Sequence, residues 1–128
     1  MNPSSQKWVN ALSKINQLTQ DGILQWAIQD PPSHMREGTD NKVDLVYLAA
    51  FKETRLRLYE ARYLAHDDYD STYWAKRPIL EIVDERGRAL WTFPASRSIY
   101  DLFEAVQYQT AGVNQLLNRF LEDEQPSN

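Results

Sequence analysis

The chain has 128 residues, 42% of them hydrophobic and 25% charged, the composition of one globular domain with a single core. It has no cysteine, which removes disulfide frameworks, thiolate metal sites and cysteine nucleophiles; no apolar run approaches the ~20 residues that cross a bilayer. The net charge is −4, and residues 65–128 hold the acid excess, with six Lys/Arg against eleven Asp/Glu. That counts against nucleic acid as a partner, because phosphate binding needs a basic surface, and leaves only a local basic strip around Arg55, Arg57 and Arg62. The N-terminal MNPSSQKWVNALSK lacks the basic-then-apolar layout of a secretory signal. A cytoplasmic protein with no membrane partner is expected.

The first predicted element is an amphipathic helix over residues 3–20. Asn2 caps it and Pro3 takes the first helical position, where a missing N–H costs nothing. Trp8, Leu12, Ile15 and Leu18 share one face, and Asp21-Gly22 ends the helix. Residues 23–29 then alternate, with Leu24, Trp26 and Ile28 pointing one way, as in a half-buried strand. Residues 30–42, DPPSHMREGTDNK, read as a loop.

Residues 43–51 and 55–65 are predicted strands joined around Lys52-Glu53-Thr54. Leu56 and Leu58 face one side, and Arg55, Arg57, Tyr59, Ala61 and Tyr63 face the other. A rival reading makes residues 43–63 one helix, because Ala, Leu, Lys, Glu and Arg favour it; the alternating RLRLY and the β-branched and aromatic content favour the hairpin. Residues 66–76 read as a second polar, acidic loop. PILEIVD, ERG and RALWTF then form a hairpin over residues 78–93, closed by Pro94.

Ser98 with Asp101 three residues on resembles a capping box. The helix it opens runs to about residue 123, with Ile99, Phe103, Val106, Val113, Leu117 and Phe120 along one seam. Its length of about 39 Å exceeds the roughly 36 Å width of such a domain, so it either breaks at Gly112 or spans the whole molecule. The expected fold is therefore α+β: an N-terminal helix, about five antiparallel strands and a long C-terminal helix, with the helices packed on one face of the sheet. Residues 1–123 make one domain, and residues 124–128 a frayed tail.

The segments DGILQW, ILEIVDERGRALWTFP and YDLFEAVQYQTAGVNQLLNRFL together are similar to small bacterial proteins of uncharacterised families. The resemblance covers residues 22–26 and about 79–121, and it implies a bacterial α+β domain. It brings no reaction or ligand with it.

Several groups of residues invite a chemical reading. In the acidic loop, Asp68, Asp70 and Thr72 imitate the start of a calcium loop. Tyr73 then stands where a glycine is needed, and Ile79 where a bidentate glutamate is needed. His66, Asp68 and Asp70 are weak metal candidates at most, and His34 and His66 lack the further ligands of a zinc site. No G-x-S-x-G elbow or glycine-rich phosphate loop is present. No catalytic residue, cofactor or metal is expected.

The stronger signal is arginine and tyrosine interleaved on one strand, a pattern suited to an interface. Tyr69, Tyr73 and Trp74 stand beside it in the polar loop without an evident core slot. The expected function is a non-enzymatic protein-binding module (accessory, adaptor or immunity-like), contacting an unidentified protein partner through Arg55, Arg57, Tyr59, Arg62, Tyr63, Tyr69, Tyr73 and Trp74. On that expectation, Arg57→Glu abolishes capture without affecting stability. The C-terminal seam offers a homodimer contact. The alternatives are a small-ligand binder or minor enzyme, with a pocket between the open sheet face and the loops at 30–42 and 66–76, and a weak nucleic-acid binder.

Overall fold

Five antiparallel strands follow one another across a meander in the order β1-β2-β3-β4-β5. They are β1 (Ala27–Gln29), β2 (Lys42–Phe51), β3 (Thr54–His66), β4 (Thr72–Val83) and β5 (Ala89–Thr92). Around them lie α1 (Pro3–Gln20), the single-turn α2 (Ser33–Arg36), α3 (Arg97–Thr110) and α4 (Val113–Glu122). The computed structural model describes residues 3–36 and 42–122; Asn2 and the tail at 124–128 lie outside them. The α+β class with an antiparallel sheet is as expected.

Alternation divides the sheet into two faces. Tyr47 and Ala49 of β2, Leu56 and Leu58 of β3, and Leu80 and Ile82 of β4 turn toward the helices. They meet Leu12 and Leu18 of α1 and Ile99, Leu102 and Val106 of α3, and together these residues are the core. Phe103 meets Tyr47 edge-on, with ring centroids 5.8 Å apart. α1 packs mainly on α3, and α3 on β4.

α1 ends in a Schellman motif: Ile23 N–H bonds the Leu18 carbonyl at 3.0 Å and Gly22 N–H bonds the Thr19 carbonyl at 3.1 Å, with Gly22 at φ 75°. β1 is shorter than the alternation at residues 23–29 predicts. Leu24 and Trp26 do point inward, but their backbone groups bond elsewhere. The Gln109 side chain accepts from Trp26 N–H at 2.7 Å and donates to the Leu24 carbonyl at 2.9 Å, standing in for one residue of a neighbouring strand. A second Gln109 bond reaches the Thr19 carbonyl at 3.2 Å, and Trp26 Nε1 donates to Thr19 Oγ1 at 3.0 Å.

The predicted loop at 66–76 is a correction. It is mostly strand, because β4 begins at Thr72 and pairs with β3 all the way from His66↔Thr72 to Arg55↔Val83. Pro78 lies inside β4 rather than at its start. Leu80 turns its carbonyl to Phe93 N–H at 2.9 Å, on the β5 side. By alternation Pro78 presents its nitrogen to that same outer edge, where no ladder bond to β3 is lost. The other predicted loop contains α2, and residues 37–41 of it lie outside the described residues.

The helix-or-hairpin question at 43–63 is answered by a hairpin whose turn is only Lys52-Glu53, at φ 49° and 68°. Both residues occupy the left-handed region that a type I′ turn demands and that Asn-Gly fills best. Holding a non-glycine residue there costs about 1 kcal/mol or more. Glu53→Gly is expected to raise the unfolding free energy by about 1 kcal/mol, read as a higher urea midpoint; an unchanged midpoint would mean the turn carries no strain.

At the C-terminus the helix breaks at Gly112, whose φ of 65° ends α3 before α4 begins. The cap of α3 is Ser96, not Ser98: the helix starts at Arg97, and the Ser96 Oγ is buried with no hydrogen-bond partner among the described residues. α4 packs against α3 and buries none of its residues.

Candidate functional site: the sheet face away from the helices

Register fixes what lies on the far face. Val46, Leu48 and Ala50 stand beside Tyr59, Arg57 and Arg55, which in turn stand beside Ile79, Glu81 and Val83. Arg57 and Glu81 are direct cross-strand partners, with Arg57 Nε 3.0 Å from Glu81 Oε1 and side-chain exposures of only 4% and 9%. Arg57 Nη1 also donates to the Gly87 carbonyl at 2.8 Å. Tyr59 hydrogen-bonds Glu81; burial first, then the negative charge of Glu81, pushes its hydroxyl up to about 12, so it stays protonated at neutral pH. Val46, Ala61 and Val83 are buried on this same face, and α2 packs against β2.

The β4–β5 turn forms one border. Asp84 Oδ1 accepts from the N–H groups of Arg86 and Arg88, each at 2.9 Å, and Oδ2 accepts from Arg88 Nε at 2.8 Å. The backbone bond from Arg88 leads these effects, which together hold the Asp84 carboxyl below its ordinary value. Gly87 takes the left-handed position at φ 81°. The β3–β4 turn repeats this design: Asp67 Oδ1 accepts from Tyr69 and Ser71 N–H, and Asp70 sits at φ 59°. The acidic cluster is thus turn chemistry. Among the described residues no three His, Asp or Glu side chains gather around a metal position. The His34 side chain lies outside the described ones.

Of the eight residues proposed for an interface, the structure divides the set. Arg55, Arg57, Tyr59, Tyr63 and Tyr73 share the face away from the helices, while Arg62 and Trp74 are on the other. Arg57 is buried, so it cannot serve as a free surface contact. Arg62 pairs with Asp44 at 2.6 Å, an exposed ion pair of small energetic weight. Arg77 lies over the Tyr63 ring, 5.4 Å from its centroid. Tyr69 tips the turn at 89% exposure.

The β3–β4 hairpin continues past the pairing of β2, which ends at Arg62, and of β5, which begins at Glu81. Among the described residues, 63–76 therefore form a two-stranded arm, with Leu64 and Trp74 directly opposite each other and both about half exposed. Sequence reasoning placed Tyr73 and Trp74 in a loop; they are strand residues. Glu81 and Gln109 were not singled out from the sequence, whereas the break at Gly112 and the exposed half-helix after it were among its alternatives.

No protein-family model matches the chain, and neither a curated protein nor a solved structure is similar to it. No helix among the described residues is long and apolar enough to cross a membrane.

Proposed function

We propose that this chain is a non-enzymatic protein-binding module that works by contact with a protein partner, as an accessory, adaptor or immunity-like protein. The observation that carries the reading is α4. Ten residues are too few to hold a helix in water unaided, yet α4 buries none of its own residues and presents Leu116, Leu117, Phe120 and Leu121 at 46–76% exposure. Their spacing is that of one apolar stripe, the form in which a helix meets a groove or another helix. The arm adds Leu64, Tyr69, Tyr73 and Trp74, aromatic and aliphatic groups of the kind that anchor interfaces.

Phe120→Glu tests the reading. With the ring 76% exposed, the change should move the unfolding free energy by no more than about 0.5 kcal/mol. The tagged wild-type chain is expected to retain a stoichiometric protein partner after nuclease treatment, and the variant to lose it. A partner that stays on the variant, or none on the wild type, overturns the reading. A wild-type chain that forms only a dimer of itself, dispersed by Phe120→Glu, would make the partner a second copy.

A further inference from the structure

The sheet face away from α1 and α3 carries a cavity of about 610 Å³, a volume typical of small-molecule sites. Its floor is Val46, Leu48 and Ala50 of β2 with Val83 of β4. Gln25, Gln29 and Pro32 close one side, and the turn from Asp84 to Gly87 closes the other. The expected pocket between the sheet and the loop at 66–76 is thus displaced, because that segment forms the arm and the β4–β5 turn takes its place as the border.

Charge decides what such a seat accepts. Arg55, Arg57, Arg86, Asp84 and Glu85 line it; with the ion-pair partners Glu81 of Arg57 and Arg88 of Asp84 counted, four guanidiniums stand against three carboxylates, leaving one positive charge in excess. Two of the carboxylates are committed, Glu81 to Arg57 and Asp84 to Arg88 and the turn amides. Arg57 lines the cavity while Glu81 and Gly87 hold its Nε and Nη1. Its Nη2 has no acceptor among the described residues. A buried guanidinium fixed on two sides is a preorganised donor for a carboxylate.

We propose that this cavity binds a small organic monoanion, a carboxylate carried on a flat apolar body. The carboxylate takes Arg57 and Arg86, and the apolar body covers Leu48 and Val83. One excess positive charge suits one negative charge; a phosphate dianion would be left half neutralised and would waste the apolar floor. The site is separate from α4, and it goes beyond the protein-binding reading without depending on it.

The test uses benzoate, its neutral counterpart benzyl alcohol, and inorganic phosphate, each titrated into the full chain and followed by amide chemical shifts. Benzoate is expected to move the signals of Leu48, Val83 and Gly87, with benzyl alcohol and phosphate at least about ten-fold weaker. The Arg86 side chain is exposed and makes no hydrogen bond among the described residues, so Arg86→Gln should fold normally and bind benzoate about ten-fold more weakly, while Arg86→Lys keeps most of the affinity. Leu48→Trp, which fills the floor, should abolish binding. Phe120→Glu should leave benzoate binding unchanged, which separates the two proposals. Equal binding of benzoate and benzyl alcohol, tighter binding of phosphate, shifts confined to another surface, or no shift at all would each overturn the proposal.

Discussion

Arg57→Ala is expected to destabilise the fold by about 3–5 kcal/mol, the usual cost of removing one partner from a buried ion pair. The loss comes less from the missing attraction than from Glu81, left with Tyr59 as its neighbour in a site where only 9% of its side chain reaches water. Arg57→Glu should be at least as severe, because the register sets position 57 directly opposite Glu81 and the change places two carboxylates face to face. The structure thus reverses the expectation that a charge change at Arg57 leaves stability untouched. The double variant Arg57→Met/Glu81→Leu should recover most of the loss, since replacing both ions leaves no buried charge. Urea unfolding of the wild type, Arg57→Met, Glu81→Leu and the double variant closes the cycle. A loss of under about 1 kcal/mol for Arg57→Ala would mean that water solvates the pair.

The second large effect lies on the other side of the molecule. Gln109→Leu keeps the volume of the side chain but removes its three bonds to Trp26 N–H and to the carbonyls of Leu24 and Thr19. Leu24 and Trp26 are themselves buried, so their backbone groups have little water to turn to. A loss of about 2–3 kcal/mol is expected, together with loss of hydrogen-exchange protection at the Trp26 amide. Gln109→Glu separates the bonds: it keeps the acceptor for Trp26 N–H and removes the donor to both carbonyls. If Trp26 stays protected in Gln109→Leu, the segment between α1 and β1 is held by packing alone.

What was legible in the sequence follows burial. Trp8, Leu12, Ile15 and Leu18 show a helical period because α1 buries one face, and RLRLY alternates because β3 separates core from far face over those residues. The arm has no such contrast. Among the described residues no helix covers either face of 72–77, so TYWAKR carries no apolar period, and with Pro78 after it the segment reads as loop. That loss hid the site as well. Whether Arg57 meets Glu81 depends on how many residues turn between β3 and β4, and an eleven-residue loop leaves the register open. Gln109 had no signal, since an amide near a helix end is ordinary and its partners are 83 to 90 positions away. The Asp-x-x-Gly run at Asp84 was readable as a turn; the same geometry at Asp67, with Asp70 where glycine is usual, resembled a cation loop instead.

The meander order of the sheet has a kinetic consequence. Each hairpin joins neighbours in the chain, so β2 through β5 can assemble from short-range closures, which are fast. α1 differs. Its ties to the α3 region, from Asn16 to Ser98 and from Thr19 to Gln109, close loops of 82 and 90 residues, and long closures carry the larger entropic cost. During synthesis α1 leaves the ribosome well before α3 and lacks the helix it mainly packs on until α3 follows. Leu12 and Leu18 are incompletely covered through that interval, so the vulnerable stage of folding is the wait of the first helix for the third.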